Sequence, residues 1–519
     1  MLFYAHEQVK AFIFIAFNDL IETWNPALLT RKKKMKNKLL LLSALIASAN
    51  PIISLAEEPL KIQEAVEKAV LTNPEVMQSY KTYESVIKDK DAAFGRYLPQ
   101  VDLTSSDGSE SKKDPTSPVF QAGKNYTRDQ ASLSLRQMLF DGFATPNEVK
   151  RLDKTSQAKL YELENVSQST ALDATKAFID LIRYRNLTSL AEDNYVAHKI
   201  IFEQLQLKAK SGVGKKSDVE QAQSRLSLAD YNMTVEGSNL HDIEARYERL
   251  VGNLPPKEIN ESLPVNKDIP KEPVEAVKYA QLHNPMLLGT IQDIQAQEAV
   301  LSTKNSAFMP RIDLRARSDR GNDLNGYDGF HKNDVAEVVM TWNLFNGFTD
   351  YNLRRKEQEL LQAATNRRDA TCRNVRLELD IAYNDIKKLT DQVNYLDARQ
   401  ISIEKARDAY RKQFEIGQRT LVDLLNAENE VFEAKRLYIN ASNDLAIAYA
   451  RSHYQMGTLL KTLGVSRYAS VEAPLPVDSN TSGASILACP AETAPTYKPN
   501  RESLDARVQE VLSAPKDAR

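Results

Sequence analysis

The chain is poor in the residues that staple or tightly turn a small fold. Its 519 residues hold two cysteines, Cys372 and Cys489, and 17 glycines. Two thiols argue against a disulfide scaffold, and so little glycine beside long Ala/Glu/Lys/Leu/Arg-rich stretches points to extended helices rather than stacked compact cores. Charge of one sign is also missing. The 68 Lys and Arg balance 70 Asp and Glu to a net −2, which gives no reason to expect a nucleic-acid partner. No phosphate-binding glycine loop, zinc-protease helix or paired-cysteine metal spacing occurs, and the six histidines are scattered. No catalytic residue, metal site or cofactor is therefore expected, and the chain is not expected to be an enzyme. The apolar run at 11–17 is too short to span a bilayer.

A basic segment from Met35 followed by an apolar run at 39–49, with small residues at Ser54 and Ala56, reads as a signal peptide over 35–56. Residues 1–34 then read as an upstream extension, as a misassigned start codon would produce. The mature chain divides into a first unit at 57–261, a linker at 262–273 carrying Pro264, Pro270 and Pro273, a second unit at 274–465, and a Pro/Ser/Ala-rich tail at 466–519. The tail is expected to be mostly disordered, with a short helix near 502–512.

The two units are copies of each other. Residues 64–76 (EAVEKAVLTNPEV) match 275–287 (EAVKYAQLHNPML), and 97–103 (YLPQVDL) match 308–314 (FMPRIDL), both offset by 211. Farther along, LFDGF at 139–143 matches LFNGF at 344–348, and Gly212 and Asp218 match Gly417 and Asp423, all offset by 205. The loop between is thus six residues shorter in the second copy, a change loops tolerate.

Within each copy the period of the apolar residues changes. Leu133, Leu135 and Leu139 oppose Ser132, Ser134 and Arg136, and Val338, Met340, Trp342 and Leu344 oppose Glu337, Thr341 and Asn343. The partner run sets Ile312, Leu314 and Ala316 against Arg311, Asp313, Arg315 and Arg317. No soluble core accommodates an arginine ladder; a barrel wall with lipid outside and water inside does. The first strand of the pair begins at Val101 and Leu103, and residues 104–125 read as a polar exposed loop. From 144 to 212 and from 350 to 417 run long helical stretches. Val375, Leu379, Ala382, Ile386, Leu389, Val393 and Leu396 alternate steps of four and three, as do the apolar residues of the returning helix from Leu424 to Ala448. A sustained 3.5-residue period winds neighbouring helices left-handedly about each other. The expected fold is mainly α with membrane β: duplicated long-helix coiled-coil hairpins plus four β-strands per chain. Four strands cannot close a barrel, and an unclosed edge in lipid strands several kcal/mol per unpaired backbone group, so other copies must supply the rest.

The Asn-Pro helix break, the YLPQVDL and LFDGF segments, the two hairpin tips and the duplication together resemble the TolC family of outer-membrane export channels, over about 60–464. The segments FEIGQRTLVDLLNAENE at 414–430 and MGTLLKTLG at 456–464 are most similar to its type I secretion branch. The resemblance implies a homotrimer with a twelve-stranded barrel in outer-membrane lipid, a helical tunnel across the periplasm, and docking to a periplasmic membrane-fusion adaptor and an inner-membrane ABC-type (or RND-type) pump. Carried onto this chain, it implies a periplasmic gate at Phe414, Arg419, Asp423, Asn426 and Asp218, with Asn426 departing from the family's second acid. It implies tip turns and adaptor docking at Gly212, Ser217, Gly417 and Thr420, with Ser217 and Thr420 as N-caps. The lipid face is expected at Leu133, Leu135, Leu139, Val338, Met340, Trp342 and Leu344. Small-molecule efflux shares this architecture, and a periplasmic coiled-coil scaffold is the distant alternative.

Overall fold

Proline sets the first elements. In the computed structural model, which describes residues 59–116, 123–324, 328–468, 490–492, 494 and 500–513, helix α1 (Ile62–Thr72) stops at Asn73 and α2 (Pro74–Phe94) starts at once. The residue before a proline is pushed out of the helical region, and Asn73 is extended at φ −67°. Its side chain then accepts the Glu75 N–H at 2.8 Å, so the break is also a cap. The second copy repeats this at Asn284, between α5 (Pro273–His283) and α6 (Pro285–Lys304). The extension and signal peptide expected at 1–56 lie outside the described residues, as does most of the tail.

After each helix pair come two strands and two long helices. The first copy has β1 (Gln100–Lys112), β2 (Lys124–Phe140), α3 (Ala144–Lys210) and α4 (Lys216–Val251). The second has β3 (Arg311–Asn322), β4 (Phe330–Thr341), α7 (Thr349–Glu415) and α8 (Leu421–Met456), followed by the short α9 (Leu459–Leu463). A last helix, α10, spans Arg501–Ser513. The strands form one antiparallel sheet in the order β1-β2-β3-β4. The expected fold class is the observed one.

Two details differ from the sequence reading. Residues 104–112 and 124–125 of the loop expected at 104–125 are strand, because β1 stays paired with β2 from Gln100↔Arg136 to Lys112↔Lys124. Backbone hydrogen bonds carry this hairpin through residues whose side chains show no apolar alternation. Conversely, the alternation expected to reach Leu344 stops at Thr341. There Asn343 Oδ1 accepts the Phe345 N–H at 3.1 Å, and the chain turns toward α7.

The turn into each long helix has the same geometry. Gly142 and Phe143 take φ of +68° and +67°, and Gly347 and Phe348 take +69° and +64°. Both copies place two phenylalanine rings edge to face at 5.4 Å, Phe140 on Phe143 and Phe345 on Phe348. Each long helix counts 67 residues, about 100 Å at ~1.5 Å per residue. Most of the heptad seam is buried: Val375, Leu379, Ala382 and Leu389 of α7, and Leu424, Ala427, Val431, Ala434, Ala441 and Ala448 of α8, while Ile386, Val393, Leu396, Tyr438 and Leu445 are half-buried. The main apolar core lies midway along α3, where Ala171 to Ile182 meet α1, the end of α4, and α9. Everything beyond it toward either end is thin.

Asn284 does more than cap. Besides accepting the Leu287 N–H at 3.0 Å, its amide donates to Gln455 O at 2.8 Å, tying α6 to α8. Asn284→Ala should cost about 1–3 kcal/mol, as a lost cap plus a half-buried carbonyl without its donor. Asn73→Ala, which loses a cap alone, should cost less; urea midpoints of the purified protein in detergent compare the two.

Candidate functional site

Two regions of the fold carry unusual polar chemistry: the sheet and the far ends of the helical hairpins. In the sheet, register decides which residues share a face. The rows Val101–Leu135–Ala316–Ala336 and Gln137–Leu314–Val338 run across all or most of it, with Ile312 beside Met340. Leu133, Leu135, Val338 and Met340 therefore lie together on one apolar face. Leu139 falls at the register irregularity between Met138 and Phe140, and Trp342 and Leu344 lie past the end of β4. Trp342 stays exposed at the base of the sheet, its indole N–H donating to Phe308 O at 3.3 Å. With Phe143, Phe345, Phe348 and Tyr97 it makes a band of exposed aromatic rings at that end, the distribution found where a barrel wall meets the membrane–water boundary.

About 100 Å away, by helix length, the hairpins turn. Gly212 and Gly417 sit at φ +79° and +77°, a region that costs other residues roughly 1–2 kcal/mol. Gly417 donates its N–H to Phe414 O at 3.1 Å, and Gln418 donates to Gln413 O at 2.8 Å. Thr420 then caps α8 in a capping box: its hydroxyl accepts the Asp423 N–H at 3.2 Å and the Asp423 carboxylate accepts the Thr420 N–H at 3.3 Å. Ser217 is not the N-cap of α4. Lys215 is the N-cap of α4, with no side-chain cap bond, and Ser217 lies inside the first turn, 3.4 Å from Asp218. At the 205-residue offset Lys215 is the counterpart of Thr420, so α4 starts in the same register as α8 but without a capping side chain, and Gly214 adds an N–H bond to Lys208 O at 2.9 Å.

The candidate gate residues are gathered here, each with a local partner. Arg419 lies 4.2 Å from the Tyr410 ring centroid, donates to Gln413 at 3.0 Å, and approaches Asp423 at 3.6 Å. The Thr420 hydroxyl holds the Asp423 carboxyl below the usual carboxylate range, with Arg419 contributing less. Phe414 packs, half-buried, against the apolar cluster that includes Leu205, Leu421 and Leu425, with Lys208 Nζ 5.6 Å from its ring. Asn426 accepts from Arg225 at 3.0 Å, linking α8 to α4. Among the described residues, no hydrogen bond or ion pair within the chain joins Asp218 to Arg419 or Asp423.

Sequence reading missed the layer just behind the tips. Glu428, 4% exposed, is held by Arg407 at 3.0 Å and by Arg411. A carboxylate four residues past Leu424, on the apolar seam, was the available signal. Arg225 offered none, being 201 residues from its partner. On α3, His198 is 2% exposed and its Nδ1 is without a hydrogen-bond partner.

The sequence profile of outer membrane efflux proteins matches residues 65–253 and 276–451. The chain is 25% identical to outer membrane efflux protein BepC of Brucella suis over 376 residues, 70% of this chain and 78% of that protein. It is 24% identical to alkaline protease secretion protein AprF of Pseudomonas aeruginosa over 424 residues, 76% and 85% of the two chains. In structure it resembles the Campylobacter jejuni CmeC outer membrane channel, at a TM-score of 0.68 and 15% identity, over 83% of this chain and 90% of that one.

Burial depresses the His198 pKa, Glu428 opposing and Arg225 assisting. The folded state therefore holds this proton less firmly than the unfolded chain does, and the contribution of neutral His198 is complete above about pH 6.5 and lost as pH falls below it. Amides at the tips of α3 and α8 should exchange faster at pH 5.5 than at pH 7.5, after correction for intrinsic rates, and His198→Leu should flatten that dependence.

Proposed function

The chain belongs to the outer membrane efflux protein family, and from that premise we propose that it is the export duct of a tripartite type I protein secretion system. It is an outer-membrane channel that extends into the periplasm. The carrying observation is a sheet with an apolar face, an arginine-bearing face and two open edges, β1 and β4. Each open edge leaves backbone N–H and C=O groups that lipid cannot satisfy. Three copies joined β4 to β1 give twelve strands and no edge, with room for a water-filled lumen, whereas two give eight strands around a lumen that side chains fill. The apolar rows then face lipid and the helices continue the lumen across the periplasm. Energy comes from an inner-membrane pump reached through a periplasmic adaptor that docks at the hairpin tips.

Support for secretion is the similarity to a protein named for alkaline protease secretion; similarity to an efflux protein favours a second reading, the outer-membrane component of a small-molecule pump. A deletion strain separates them. Loss of a large secreted or surface protein without new drug sensitivity supports secretion, and drug sensitivity alone supports efflux.

The tips act as the gate. Three Asp423 side chains near one axis repel, and Arg419 offsets that charge through contacts that are individually weak because they are exposed. Weak contacts suit a closure that a partner must open. Arg419→Ala should raise single-channel conductance in planar bilayers severalfold; an unchanged conductance would place the closure elsewhere.

A further inference from the structure

The polar face of the sheet carries a cluster that neither the fold nor the gate explains. Asp313 lies with its side chain 2% exposed, and three guanidiniums converge on it: Arg311 at 3.2 Å, Arg136 at 3.4 Å and Arg315 at 3.4 Å. A carboxylate offers about four lone-pair sites and each guanidinium five donors, so most of these donors point elsewhere. The three arginine side chains are 42–47% exposed, and Arg315 Nε is buried without a partner. Directly below, a cleft of about 510 Å³ is lined by Arg96, Arg136, Arg311 and Gln100, with Asp141 the one acid on its wall. Asp141 is already engaged, accepting from the Thr145 hydroxyl at 2.6 Å and its N–H at 2.8 Å.

Register puts this cluster on the side away from the leucines. Gln100, Arg136, Arg315 and Glu337 form one row, and the adjoining row on the opposite face is Val101, Leu135, Ala316 and Ala336. Low on the polar face, Arg136, Arg311, Arg315 and Arg317 meet Asp102, Asp313, Asp319 and Glu337. Above them Lys112, Lys124 and Arg128 meet Glu110, and Asp328 in the β3–β4 connection pairs with Lys124 at 2.6 Å, so each chain carries a surplus of one cation.

We propose that this face is an anion-guiding surface lining the barrel lumen, and that the exported cargo presents carboxylate-rich polypeptide segments to it. The inference rests on the export-duct reading, which puts the polar face on the lumen. Guanidinium forks match carboxylates in geometry and stay charged at any physiological pH. In a water-filled lumen each such contact is weak and screened by salt. A moving acidic chain is therefore attracted into the barrel without being held.

The test uses the full-length protein in planar bilayers under a tenfold KCl gradient. The combined variant R136Q/R315Q/R317Q should lower the chloride-to-potassium permeability ratio at least twofold, and E337Q alone, which removes an acid from the same face, should raise it. Poly-L-glutamate added on the barrel side should reduce current through the wild type and much less through the triple variant, while poly-L-lysine should not. Migration of both variants as the same heat-sensitive oligomer verifies assembly, and E337Q keeps the test decisive should the triple variant fail to assemble. Permeability ratios unmoved in both, or equal block by both polymers, overturns the inference. A wild type that forms no pore at all overturns instead the export-duct reading beneath it.

Discussion

The architecture depends on one constraint: a backbone in hydrocarbon must have all of its N–H and C=O groups paired. Each chain pairs β2 and β3 on both sides along most of their length and leaves β1 and β4 with one bare side each. Lipid offers no substitute for water at those edges, so a chain with this sheet is stable in a membrane only beside other copies. The duplication follows from the same requirement. Two copies of a unit with two strands and a long helical hairpin pack α3 against α4, α7 against α8, and α3 against α8 within one chain, and the resulting wedge repeats around an axis.

Stability is distributed unevenly along the helices. The large apolar cluster lies midway along α3, joining α1, α4 and α9 to the long helices. Toward the tips the apolar joint shrinks to a few residues around Leu421, Leu424 and Leu425, and the remaining ties are exposed polar contacts such as Arg225 with Asn426. Segments with few buried contacts open locally at low free-energy cost. Glu428, clamped by two arginines one turn behind, marks where this looseness ends, since separating a buried pair of this kind costs several kcal/mol.

Much of this was legible in the chain because the relevant signals are local or periodic. The Asn-Pro breaks, the heptad seam and the Thr420 cap each reside within a few residues, where backbone sterics and helix geometry act. The errors came where locality fails. Polar Thr104 to Lys112 looked like a loop because its strand character resides in pairing with β2 rather than in its own side chains. Ser217 looked like a cap by residue type, but the cap position equivalent to Thr420 is Lys215, and Ser217 falls inside the first turn. The contact of Arg225 with Asn426 was not legible, since the two residues lie in different copies of the repeat.

Sequence alone therefore determined the kinds of element, their order, the duplication and the incompleteness of the sheet, because side-chain periodicity and proline sterics act over a few residues. Tertiary structure decided which residues meet. Strand register turned scattered arginines into one face with a buried aspartate at its centre, and helix packing brought His198, Arg225 and Glu428 together behind the tips. Such encounters depend on how distant segments align, and no residue carries that information in its own neighbourhood.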